Sequence, residues 1–110
     1  MTEFQDIDKT LAFIRDHAPK LAKAKAERIY LDNYKKSLFS KLFTKAVHKT
    51  VAERESWALQ HDTYIDHLMA LKIAIEEEET IKWQMLSAQL RVEVWRSQES
   101  TNRMIDKGHQ

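Results

Sequence analysis

A chain of 110 residues with one glycine, Gly108, and one proline, Pro19, has almost nothing with which to turn a β-sheet. Average usage would supply roughly a dozen of these two residues. Strand reversals draw on Gly, Pro, Asn and Asp chemistry, so the scarcity predicts an all-α chain. From residue 20 to 107 nothing obliges a helix to stop. Boundaries must therefore come from caps and polar stretches.

Thr2 with Gln5 and Thr50 with Glu53 have capping-box spacing, and Thr63 with Asp66 follows the polar run Gln60, His61, Asp62. Gly108 stands where a last helix would end. The reading is one helical domain over 1–110: a long helix from 3 to 47 kinked near Pro19, a short one over 50–60, and a long one over 62–106. In the first segment Phe4, Ile7, Leu11, Ile14, Ala18, Leu21 and Ala24 recur at steps of three and four, and Leu31, Leu38 and Leu42 continue that face. In the last, Leu68, Leu71, Ile75, Ile81, Met85, Ala88, Val92 and Trp95 form the matching stripe. Glu78 interrupts it and calls for a polar or basic partner. Leu90, Val92 and Val94 alternate with Arg91 and Glu93 as in a strand, but no turn residue or second strand accompanies them, so helix is expected there too.

Charge fixes how the long helices should meet. Lys and Arg number 18 and Asp and Glu 17, a net charge of +1, so the chain as a whole exerts no pull on nucleic acid. The halves differ sharply: residues 21–50 carry a net +6 and residues 51–80 a net −6, including Glu76, Glu77, Glu78 and Glu79. A reversal near 48–62 makes partner numbers sum to about 110 and sets Lys35 and Lys36 beside Glu76 to Glu79. The predicted architecture is an elongated, coiled-coil-like antiparallel helical hairpin with the short helix at its tip, pinned there by Trp57.

Such a hairpin has a thin core. The last helix nevertheless carries Trp83, Leu86, Leu90 and Val94 beside its main stripe, and the first carries Phe13, Tyr30, Tyr34, Phe39 and Phe43. Apolar residues over that much circumference imply burial on more than one side. A homodimeric bundle is the simplest remedy, and another protein the alternative. Trp83, Leu86, Leu90, Val94 and Trp95 are the candidate protein interface.

Catalytic signatures are missing. Without Cys there are no disulfides, thiolate ligands or cysteine nucleophiles. No Glu precedes any of His17, His48, His61, His67 or His109 by three residues, as the Glu-x-x-His repeats of a di-iron bundle would require. Phosphate-binding loops lack their glycines, and the serines lack an elbow motif. No metal, no cofactor and no enzymatic activity are expected. The acidic start and the lack of an apolar run of about 20 residues predict neither signal peptide nor membrane span, and a cytoplasmic setting. Nucleic acid is the competing ligand: Lys23, Lys25, Lys35, Lys36, Lys41 and Lys45, interleaved with Tyr30, Tyr34, Phe39 and Phe43, could form a basic surface with stacking rings.

The segments AKAERIYLDNYKKSLFSKLF (24–43), KTVAERE (49–55) and EEEETIKWQMLSAQLRVEVWRSQESTNR (76–103) resemble a family of small helical proteins encoded by bacteriophages and prophages. ERIYL, TVAERE and LRVEVWRSQ are its most specific parts. Members often neighbour phage recombination and replication genes. The resemblance thus implies a non-catalytic accessory protein in those processes or in host take-over, with a phage or host protein as partner. Inhibition of a bacterial defence complex is a further reading. The resemblance carries no site residues across.

Overall fold

The computed structural model describes residues 3–108, with side chains from Asp6 onward. It contains three helices: α1 (Glu3–Lys45), α2 (Val51–Gln60) and α3 (Asp62–Gly108). Among the described residues there is no strand, and Leu90 to Val94 lie within α3. Pro19 lies inside α1, which continues past it. The cap expected from Thr2 and the side chains of Phe4 and His109 fall outside the described residues.

The chain divides into two compact units, Met1–Leu21 with Thr80–Gln110, and Ala22–Glu79. The second is an antiparallel helical hairpin. Arg28 meets Glu78, Leu31 meets His67, and Phe39 meets Tyr64, so numbers rise along α1 as they fall along α3. At its tip, Leu38 and Leu42 of α1, Ala58 of α2 and Tyr64 of α3 form a buried cluster. Tyr34, Phe39 and Trp57 pack against that cluster, which gives Trp57 the role expected of it.

Cap chemistry fixes the tip. Thr50 is the N-cap of α2: its backbone is extended and its hydroxyl accepts from the Glu53 N–H at 3.2 Å. Arg54 donates from Nε to the His48 carbonyl at 2.7 Å, tying the connection between helices back onto α2. The start of α3 is capped differently from expectation. His61, not Thr63, precedes the helix; its Nδ1 accepts from the Thr63 N–H at 3.1 Å, and its carbonyl accepts from Tyr64 and Ile65.

The register also differs from the symmetric reversal. Each of the three pairs above falls short of a sum of 110. α1 ends at Lys45, short of the expected 47, while α3 starts at Asp62 as expected, so the reversal is centred below residue 55. Glu78 therefore meets Arg28 and not Lys35. Lys35 reaches Asp32 along its own helix at 3.7 Å, and Lys35 and Lys36 share a surface hollow with Glu55, Leu59 and Tyr64.

Burial repeats every seven residues. In the Ala22–Glu79 unit the buried or half-buried positions include Ala24, Arg28, Leu31, Lys35, Leu38 and Leu42 on α1, with Tyr64, His67, Leu71, Ala74 and Glu78 on α3. In the other unit they include Ile7, Thr10, Ile14, His17 and Leu21, with Ile81, Met85, Ala88, Val92, Trp95 and Glu99. Leu11, Ala18, Leu68 and Ile75, assigned inward from hydrophobicity, are exposed. Polar or small residues replace them inside, and local bonds make that possible: Thr10 donates to the Asp6 carbonyl at 2.8 Å and His17 to the Phe13 carbonyl at 2.9 Å.

Candidate functional site

Trp83, Leu86, Leu90 and Val94 follow steps of three, four and four, so they form one stripe along α3. They are 63%, 39%, 53% and 57% exposed. Opposite them on the same helix, Met85 and Ala88 are buried against the paired segment of α1. The four residues thus crown the outer face of α3, within one unit. Trp95 is separate: it lies 12 residues from Trp83, about 120° round the helix, and is half-buried.

Beside this face runs a groove of about 480 Å³. Ile7 and Thr10 of α1 line it together with Trp83, Leu86, Leu90, Val94 and Trp95 of α3. Asp6, Arg91 and Gln98 supply polar edges. Large apolar side chains left in water around a concave strip are what a protein-binding surface looks like.

The six candidate nucleic-acid lysines do not converge. Lys23 and Lys41 are 18 residues apart and share a side of α1, whereas Lys25 and Lys36 share another about 160° away. Lys41 is engaged with Tyr34, donating to its hydroxyl at 3.1 Å and lying 5.1 Å from the ring centre. Two of the four interleaved rings pack across the hairpin: Tyr34 against His67 and Phe39 against Tyr64. Tyr30 is exposed, stacked at 6.0 Å on Tyr34.

The best-defined electrostatic feature lies elsewhere. Arg28 grips Glu78 with two hydrogen bonds, Nε to Oε2 and Nη2 to Oε1, the latter at 3.2 Å. The Glu78 hydrogen bond is the main cause that holds the Arg28 guanidinium above its ordinary pKa; partial burial opposes this, and the charges of Glu78, Asp32 and Glu79 add to it. Glu78 on its apolar stripe called for a polar or basic partner, but nothing in the spacing singled out Arg28.

No three His, Asp or Glu side chains among the described residues are arranged to hold a metal ion. His67 donates to the Leu31 carbonyl at 2.6 Å, and His48 has a buried Nδ1 without a hydrogen-bond partner. Among the described residues no helix is long and apolar enough to cross a membrane. No family model, curated protein or solved structure matches the chain.

Proposed function

We propose that this chain is a non-catalytic interaction protein, a coiled-coil-like hairpin that presents the outer face of α3 to another polypeptide. The observation that carries this reading is the exposure of Trp83, Leu86, Leu90 and Val94 on a single stripe. The seven-residue burial period supports the coiled-coil element, because a 3.5-residue repeat is the seam of a left-handed supercoil. A dimeric bundle belongs to the same proposal, as do the phage-type accessory role in recombination, replication or host take-over and a cytoplasmic site of action. These last rest on the resembling segments alone. Direct nucleic-acid binding is disfavoured by the division of the lysines between two sides of α1.

Site-specific photo-crosslinking in the producing cell tests the reading. A benzophenone side chain at position 86 should yield adducts with a polypeptide, identified by mass spectrometry, while the same group at exposed Arg103 should not. Nucleic-acid adducts from position 41 and no polypeptide adduct from position 86 would overturn it.

A further inference from the structure

We infer that the occupant of this face is a second copy of the chain, docked antiparallel along α3 with the two-fold axis near residue 88. The inference rests on the interaction reading above and adds partner and geometry. An isologous contact requires a self-complementary surface, and this face has that property in both its apolar and its charged positions. Trp83 and Val94 are 11 residues apart, three helical turns or about 16 Å along the axis. Lys82 and Glu93 are also 11 apart and lie together on one flank of the stripe. A single two-fold exchange therefore serves both pairs. It brings Trp83 of each copy onto Val94 of the other and Leu86 opposite Leu90, while Lys82 of each copy comes beside Glu93 of the other, twice over. On the opposite flank Arg91 meets Gln84, so no like charges are opposed.

Size is consistent with this occupant. At about 200 Å² for a fully exposed large side chain, the four apolar residues contribute roughly 400 Å² per copy. A standard interface takes about 800 Å² from each partner. The flanking Lys82, Gln89, Arg91 and Glu93 supply the polar rim that would bring the contact towards that area.

Sedimentation equilibrium of the purified chain tests the inference. Wild type should approach twice 13.0 kDa at micromolar concentration. Leu90→Glu should weaken association at least ~30-fold, the effect of losing a central anchor, with helicity by circular dichroism unchanged because Leu90 is exposed. Lys82→Glu and Glu93→Lys should each weaken the dimer, and the double swap should restore it. A wild-type chain that stays monomeric to ~100 μM overturns the self-pairing, as does a Leu90→Glu variant that still dimerises. A double swap that fails to restore association overturns the antiparallel geometry, since a parallel pair would set Glu93 near Arg91 instead. If the chain is monomeric yet position 86 still crosslinks to other polypeptides, the self-pairing alone fails; absence of any polypeptide adduct ends the interaction reading with it.

Discussion

Arg28 and Glu78 are joined by a two-point hydrogen-bonded ion pair across the hairpin, on the face where both helices otherwise bury Leu and Ala. The partners differ in access to water. The Glu78 side chain is 12% exposed and that of Arg28 31%. Arg28→Ala should therefore cost more stability than Glu78→Ala, because it leaves a buried carboxylate without its guanidinium, whereas a released guanidinium can turn to solvent. Replacing both with Leu should keep or raise stability, since a well-packed apolar pair often equals a buried ion pair. Urea midpoints for the three variants decide it; the reverse order of the single variants would contradict the burial argument.

The same pair sets a pH expectation. A cation whose pKa is raised on folding contributes stability that is present below its unfolded value and lost only as pH climbs through the folded one. For Arg28 both values lie beyond the working range, so this contribution should not fall between pH 7 and pH 10. Arg28→Lys should behave differently, losing the two-point geometry and becoming alkali-sensitive as pH passes the ordinary lysine range near ~10.4. Thermal melts of both proteins from pH 7 to 11 show whether the curves diverge.

The helix starts differ in their capping chemistry. His61 caps α3 through a ring nitrogen, a weaker solution than a carboxylate, which would add favourable charge at the helix N-terminus. His61→Asp should be about 1 kcal/mol more stable than His61→Ala; both lose the 4.9 Å contact between His61 and Trp57, so the difference isolates the cap. Thr50→Ala should cost about 1 kcal/mol, and Thr63→Ala less than about 0.5 kcal/mol, because Thr63 lies inside the first turn. Equal losses at Thr50 and Thr63 would restore the assignment made from sequence spacing.

The sequence was legible where chemistry is local. Two glycine and proline residues in 110 exclude an ordinary sheet, and Thr50 with Glu53 announces the start of α2. Glu78 on an apolar stripe announces a buried partner, and Trp83, Leu86, Leu90 and Val94 announce a second face on α3. Which basic residue meets Glu78 was not legible, because register depends on where α1 ends and the reversal is centred, and that is tertiary packing. The inward face was misjudged for a related reason. Hydrophobicity favoured Leu11 and Ile75, while the actual seam uses Thr10, whose hydroxyl bonds its own helix, and Ala74, whose small side chain permits close approach.

That misjudgement makes the last prediction the most discriminating test of the hairpin. Leu71 and Ile75 sit one turn apart on α3 and both belong to the stripe read from sequence, so hydrophobicity alone gives them equal weight. Leu71 is 8% exposed and Ile75 42%. Leu71→Ala should remove buried methyl groups and leave a cavity beside α1, costing about 2–4 kcal/mol. Ile75→Ala removes groups already largely in water and should cost about 0.5 kcal/mol. Ala74→Leu, by contrast, forces a large side chain into the close approach of the two helices and should destabilise by about 1–3 kcal/mol. A seam centred on Ile75 would reverse all three, with Ile75→Ala costly, Leu71→Ala mild and Ala74→Leu tolerated. Denaturant midpoints for these three variants therefore separate a seven-residue seam through Leu71, Ala74 and Glu78 from the one that hydrophobic spacing alone would choose.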